Sequence, residues 1–231
     1  LKESGGKAGR LHMMKWAFLL SRCHSEGGNS FFQFLPYHYG PYSFCLAQEM
    51  DALVKHGYVL QEDDKTWSLT QLGRDTRLSI DQPVRSDIWH ILREHGKSPS
   101  AALLQFVYQR FPWFSVNSRV ERLEERPEGD CAVYTAGYEG LSVDGFLNDL
   151  IKIGIRRVID VRRNPVARRF GFHKSTLRRL AANVGIDYVH FPQLGIASEQ
   201  RQELHTYSDR LDLFNAYSAT TLQMETEAID E

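Results

Sequence analysis

The sequence of 231 residues is long enough for one large or two modest domains. Its 42% hydrophobic and 25% charged residues are ordinary for a soluble globular protein, and the formal net charge of -1 conceals a basic and an acidic segment in the carboxy-terminal part. No apolar run approaches the roughly 18–20 residues that span a bilayer, and residues 1–10 lack the apolar core of a signal peptide, so neither a membrane protein nor a secreted one is expected.

The cysteines and histidines indicate no metal site. Cys23, Cys45 and Cys131 lie far apart and form no C-x-x-C pair, which argues against both a zinc site and a disulfide scaffold and favours a reducing, cytoplasmic location. The histidines lack the i, i+4 pairing that a helical metal site needs. We therefore expect no metal and no cofactor.

Residues 1–80 are predicted to form an amino-terminal domain. Its elements are, in chain order, a helix over 10–24, a helix over 42–56, a β-hairpin with a polar turn at 62–65, and a short helix capped by Thr70. The first helix is expected to end at Gly27-Gly28-Asn29. Helix, helix and hairpin is the order of a winged helix.

Three patterns in this region support that prediction: Y-H-Y-G-P-Y-S, H-G-Y-V and W-S-L-T-Q-L-G. They resemble the winged-helix-like amino-terminal regions of prokaryotic regulators and toxin–antitoxin-associated proteins, and the resemblance implies DNA binding. However, helix 42–56 carries Glu49, Asp51 and Lys55, and Gln48 is its only obvious reader of bases. Attraction to phosphate supplies most of the non-specific affinity of a protein for DNA, and a helix with a net negative charge does not provide it. The alternative use of this domain is therefore packing or dimerisation.

Residues 81–130 are predicted to be a helical connector. One helix begins at Pro83 and ends at Gly96, and a second begins at Ser98-Pro99. A third helix, charged and exposed, is predicted over 117–127. The stretch Glu128-Gly129-Asp130 is expected to mark the boundary of the next domain.

Residues 131–231 are predicted to form an α/β domain with a layered parallel sheet. Its elements are a strand from Cys131 that ends at the Gly137 turn, a helix from Ser142 to Gly154, a strand over 157–162, a helix over 175–184 and a strand over 186–191. Strand–helix–strand units join parallel strands, so three parallel strands covered by helices are expected. The acidic stretch at 199–231 is interpreted as solvated helix.

The carboxyl ends of these strands are the expected site, because ligands of open parallel sheets bind there. Between Arg156 and Arg179, nine basic residues stand against one acid, which indicates an anion nearby, and the arginine fork suits phosphate or carboxylate. The predicted ligand-binding residues are Thr135, Gly137, Tyr138, Glu139, Arg162, Arg163, Arg168 and Arg169. The predicted catalytic residues are Asp160 and His190.

Each of these predictions has an alternative. Asp160 either handles a proton or only anchors an arginine. Glu139 acts as an acid or caps the helix that begins near Ser142. His190 titrates near neutral pH or is hydrogen-bonded and inert. Arg178 and Arg179 lie on a helix and are interpreted as a solvated face.

Four ordered motifs over 131–231 resemble the family called domain of unknown function 488: Y-T-A-G-Y-E-G-L-S-V-D-G-F-L, V-I-D-V-R-R-N-P-V-A-R-R-F-G-F, Y-V-H-F-P-Q-L-G-I-A-S-E-Q-R and L-F-N-A-Y. The family is α/β, without an established common activity. The resemblance places Thr135, Gly137, Tyr138, Asp160, Arg162, Pro165, His190, Pro192 and Gly195 on family motif positions. Relatives continue into a strand with a cysteine and an acid, so the domain is expected to be incomplete at its carboxyl end.

Three functions are compatible with these patterns. The first is a two-module cytoplasmic protein that binds a phosphate-bearing ligand, nucleotide or nucleic acid through the basic rim, with the winged helix contacting DNA or a partner. The second is an enzyme acting on a small anionic substrate, in which Asp160 or His190 handles protons and Arg162 and Arg168 hold charge. The third is a regulatory interaction protein in which both domains bind other proteins.

Overall fold

The computed structural model describes residues 1–23, 31–201 and 204–230. They form two compact units, Leu1–Gly154 and Ile155–Glu231. The three-domain division made from the sequence stays a prediction. The first helix, predicted over 10–24, ends earlier, at Leu20. Its predicted stop at Gly27-Gly28-Asn29 lies outside the described residues.

The first unit is built of short strands and helices. Its strands are β1 (Lys7–Gly9), β2 (Leu35–Tyr37), β3 (Gly40–Tyr42), β4 (Val59–Asp63) and β5 (Thr66–Leu69). Its helices are α1 (Arg10–Leu20), α2 (Phe44–Lys55), α3 (Gln71–Asp75), α4 (Gln82–His95), α5 (Ser100–Arg110) and α6 (Val143–Ile153). An antiparallel sheet has the order β1-β5-β4, and β2 pairs with β3 as a hairpin.

An aromatic cluster forms the centre of this unit. The buried Phe18 of α1 meets Phe34, Phe111 and Phe114 edge to face, with ring centroids 4.6–5.4 Å apart. Met14, Lys15, Trp16 and Leu19 of α1 are buried as well, so this helix is covered on more than one face.

Several predicted elements of this unit are confirmed. The helix over 42–56 is α2, the hairpin is β4–β5, and the helix from Pro83 is α4. Thr70 caps α3, because its Oγ1 accepts a hydrogen bond of 3.1 Å from the Gly73 N–H. The strands β1, β2 and β3 were not predicted from the sequence.

The third connector helix, predicted over 117–127, is wrong. Val120 is 62% and Leu123 45% exposed, so the segment offers no apolar stripe to a neighbour. The buried Ser118 instead accepts hydrogen bonds at Oγ from the N–H groups of Val120 and Glu121. Such local bonds from serine compete with helical ones and hold this stretch in an irregular turn.

The strand predicted from Cys131 to the Gly137 turn is also wrong. Residues 131–137 form no strand and are exposed, and Val133 is 97% exposed. A strand needs a neighbour to take its backbone groups, and an apolar pattern alone does not supply one. The parallel sheet therefore has two strands among the described residues instead of the predicted three.

Helix α6 is packed into the first unit by a buried carboxylate. The fully buried Asp144 accepts hydrogen bonds from Ser43 Oγ at 2.9 Å, from the Phe44 N–H at 2.7 Å and from the Cys45 N–H at 3.0 Å. These N–H groups belong to the first turn of α2, where the helix has no acceptors of its own. Burial raises the pKa of Asp144, while the donated hydrogen bonds oppose that rise. The predicted ends of α6 are confirmed: Ser142 caps it, and Gly154 ends it with a left-handed φ of +82°.

The second unit is a strand–helix–strand motif followed by short helices. Its elements are β6 (Arg157–Asp160), α7 (Lys174–Asn183), β7 (Asp187–His190), α8 (Tyr207–Ala219), α9 (Thr221–Met224) and α10 (Thr226–Asp230). Strands β6 and β7 are parallel, as predicted, with Asp160 opposite His190 in the register. Helix α8 buries no residue, in agreement with a solvated helix, although the hydroxyl of Tyr217 donates to the Leu194 carbonyl at 2.6 Å.

None of the described helices has the length and apolar character needed to cross a membrane.

Candidate functional site

The end of β6 carries the two residues on which the predicted site depends. Asp160 is the last residue of β6, and its carboxylate receives a two-point contact from Arg162. Arg162 Nε lies 2.9 Å from Oδ1 and Nη2 lies 2.6 Å from Oδ2. The side chain of Asp160 is 4% exposed and that of Arg162 25% exposed. A planar fork on a carboxylate is the strongest geometry that such a pair adopts, and here it forms within the protein.

Asp160 is further bonded by β7. The hydroxyl of Tyr188 donates to Asp160 Oδ2, and the Arg162 N–H donates to Oδ1 at 3.0 Å. Burial pushes the pKa of Asp160 upward, but the bonds from Arg162 and Tyr188 outweigh it, so this pKa lies below its ordinary value. Burial, together with the adjacent Asp160, raises the pKa of the Tyr188 hydroxyl. Asp160 is therefore held as an ionised acceptor.

His190 is bonded at both ring nitrogens. Its Nε2 lies 2.8 Å from the Arg162 carbonyl, and its Nδ1 lies 2.7 Å from Lys174 Nζ. A carbonyl oxygen only accepts and an ammonium group only donates. The bonding pattern thus fits a neutral imidazole with its proton on Nε2, which accepts at Nδ1 from Lys174.

These contacts hold the loop between β6 and α7 against the sheet. Arg162 Nη1 donates to the carbonyl of the buried Phe172 at 3.0 Å, and the Lys174 N–H donates to the Pro165 carbonyl at 3.0 Å. We call the network of side chains the loop clamp; its members are Asp160, Arg162, Lys174, Tyr188 and His190. Of the two alternatives for Asp160, the observed geometry is that of the arginine anchor.

A glycine brings the segment after β7 against the same loop. A Cβ built on Gly195 would lie closer than 3.0 Å to backbone atoms of Val161 and Arg163. Only glycine leaves room for this approach. The segments that follow β6 and β7 are therefore in direct backbone contact.

The clamp leaves the other predicted arginines of this unit at the surface. Arg163, Arg168 and Arg169 are all exposed. The exposed basic residues between Arg156 and Arg179 are Arg156, Arg157, Arg163, Arg168, Arg169, Arg178 and Arg179. The only acid in that segment, Asp160, is buried. The charge that this segment presents to solvent is accordingly all positive.

The remaining predicted residues belong to the first unit. Thr135, Gly137 and Glu139 are exposed and Tyr138 is half-buried, on the irregular stretch before α6. Since Ser142 Oγ accepts from the Gly145 N–H at 3.2 Å, the cap of α6 is Ser142 and not Glu139. Within the second unit, the structure brings together Asp160, Arg162 and His190.

No three histidine, cysteine or acidic side chains in the described part of the chain come together in a way that could hold a metal ion. The thiols of Cys45 and Cys23 are not activated. Burial, followed by the charge of Asp144, raises the pKa of Cys45 to about 12, and burial raises the pKa of Cys23.

Two members of the clamp were not predicted. Tyr188 stands two residues before His190 and therefore on the same face of β7. The parallel register places that face beside Asp160, so alternation along the strand could have identified the tyrosine. Lys174 was counted only as a charge, and no local pattern indicates its bond to His190.

Comparison with known proteins concerns the carboxy-terminal part of the chain. No curated protein and no solved structure gave a significant match. Residues 142–231 match the family model described as "Domain of unknown function DUF488", which confirms the resemblance given by the sequence motifs for this part of the chain.

Proposed function

We propose that the second unit binds a phosphate-bearing ligand, with single-stranded or duplex nucleic acid as the best candidate, through the exposed arginines of the loop after β6. The observation that carries the proposal is the outward charge of the segment from Arg156 to Arg179. Seven of its nine basic residues are exposed, and its one acid is buried beneath Arg162.

The loop clamp supports this proposal because it gives the arginines different roles. Arg162 neutralises Asp160 and fixes the loop, so Arg163 and Arg168 are the side chains proposed to contact phosphate. A held loop presents its cations with less loss of conformational freedom on binding. The cost of crowding like charges is relieved when a polyanion binds.

The first unit is proposed as a winged-helix module that contacts a partner, with DNA contact by α2 less favoured. The charged side chains that α2 exposes are Glu49, Asp51 and Lys55, two acids and one base. This face attracts phosphate less than the exposed arginines of the second unit do.

Fluorescence anisotropy with labelled single-stranded RNA, single-stranded DNA and duplex DNA over a series of salt concentrations tests the proposal. Binding should weaken steeply with salt, because each neutralised phosphate contributes about 0.7–0.9 to the slope of log K against log salt. The double variant Arg163→Gln/Arg168→Gln should lower affinity and reduce the slope by about one to two units. The matched control is Arg210→Gln, an exposed arginine of α8, which should change neither.

Two outcomes would remove the proposal. One is the absence of binding to any of the three probes at low salt. The other is a double variant with the same affinity and the same salt slope as the native protein.

A second candidate function is binding of another protein, or of a second copy of this chain, through apolar side chains of the same unit. Ile159, Val161 and Val166 are 55%, 44% and 67% exposed. Light scattering of the native protein and of Ile159→Ser would distinguish self-association from a monomer. The enzyme hypothesis stays a prediction, and the bonds that hold Asp160 and His190 would have to open before either group could move a substrate proton.

A further inference from the structure

The first unit contains an apolar cavity that none of the functions above uses. Its volume is about 580 Å³, within the range of roughly 300–1,000 Å³ that is usual for small-molecule sites. It lies among α1, α2 and α4. The side chains that supply most of its wall include Met13, Trp16, Leu20, Met50, Ile88 and Leu92.

A second space, a groove of about 770 Å³, lies along α4. Glu3, Arg85 and Leu92 line both spaces, so the two adjoin at these residues. The groove is also lined by Trp89, His90 and Arg93. Two arginines of α4, Arg85 and Arg93, therefore line the groove beside the apolar cavity.

Arg85, which lines both spaces, has one donor without an acceptor. Its Nε is shielded from water, and no described residue accepts a hydrogen bond from it. A buried donor without an acceptor is costly. A guanidinium group also binds a carboxylate with two oxygens through its two Nη groups, which does not require the shielded Nε. The nearby acid, Glu3, is engaged by the indole N–H of Trp89 at 2.8 Å.

We propose that this space binds a small amphipathic carboxylate, with its apolar chain in the cavity between α1, α2 and α4 and its carboxylate on Arg85. The apolar wall takes the chain because removing apolar surface from water is favourable. The guanidinium of Arg85 supplies the donors that orient the head group, and Arg93 lines the adjoining groove. This inference concerns the first unit and is independent of the proposed binding of nucleic acid.

Isothermal titration calorimetry with decanoate and with decanol tests the inference on the whole chain. Native protein should bind decanoate at least about tenfold more tightly than decanol, because only decanoate pairs with Arg85. Arg85→Met keeps the length of the side chain and removes its charge, so it should weaken decanoate at least about tenfold and leave decanol within about twofold. The matched control is Arg110→Met, an exposed arginine of α5 outside the lining, which should bind both probes as the native protein does.

A cavity-filling variant tests the position of the chain. Ala17 lies in the wall, so Ala17→Phe should abolish binding of both probes while circular dichroism shows a folded protein. If Ala17→Phe does not fold, the smaller change Ala17→Leu replaces it. The inference is overturned if native protein binds neither probe, if it binds both equally, or if a folded filling variant binds as well as the native protein.

Discussion

Replacing Asp144 with alanine should sharply destabilise the first unit. The carboxylate accepts three hydrogen bonds from the start of α2 and is fully buried. Its removal leaves two backbone N–H groups and one hydroxyl without their acceptor, at about 1–3 kcal/mol each. Loss of the burial cost of the charge offsets part of this sum. We therefore expect the free energy of unfolding to fall by about 3–5 kcal/mol.

Urea unfolding followed by tryptophan fluorescence measures this change directly. All four tryptophans of the chain, Trp16, Trp67, Trp89 and Trp113, lie in the first unit and report on it alone. Asp144→Asn retains one acceptor oxygen and should lose only about 1–2 kcal/mol. Asp149→Asn, on the exposed side of the same helix, is the control and should stay within about 0.5 kcal/mol of the native protein. An Asp144→Ala protein that is as stable as this control would refute the reasoning.

Three further predictions concern other buried groups. Burial lowers the pKa of Lys15 from 10.5 to about 7, so between these pH values the unfolded chain binds one more proton than the folded protein does. The free energy of unfolding of the native protein, relative to that of Lys15→Met, should therefore rise with pH across this window in urea titrations. A difference that does not depend on pH would contradict this. Gly195→Ala should lower the stability of the second unit by about 2 kcal/mol in circular dichroism melts because its Cβ meets backbone, whereas Gly137→Ala, where a Cβ meets nothing within 4 Å, should be neutral. Asp160→Asn breaks the ion pair of the loop clamp and should lower the free energy of unfolding by about 2–3 kcal/mol in the same melts. Binding to nucleic acid should persist. Unchanged stability would show that the clamp does not stabilise the fold.

Local patterns in the sequence were sufficient for most helices of this protein. Ser142, Gly154 and Thr70 determine helix ends through their own conformation or their own oxygen, and each was placed correctly. Apolar residues at helical spacing likewise predicted a helix over 10–24, of which α1 covers Arg10–Leu20. These features involve contacts within about one helical turn, which a linear pattern records.

Features that depend on distant partners were misread. Val133 lies in a β-branched stretch typical of a strand, yet its side chain is exposed. A strand also needs a neighbouring strand to pair with, and the local pattern does not show whether one is present. Arg162 was predicted to bind a ligand anion, but the parallel register and the turn after β6 place its guanidinium on Asp160. Charge counts alone do not distinguish an arginine that is paired within the protein from one that faces solvent.

The position of α6 has a practical consequence for dissecting the chain. The segment that matches the family begins at Ser142, yet α6 buries Phe146, Leu147 and Leu150 within the first unit. A fragment that begins at the family boundary would contain this helix without the surfaces that cover it. The apolar side of the helix would then be exposed and would promote aggregation. Expression of the second unit should therefore start at Ile155, and the amino-terminal fragment should retain everything through Gly154.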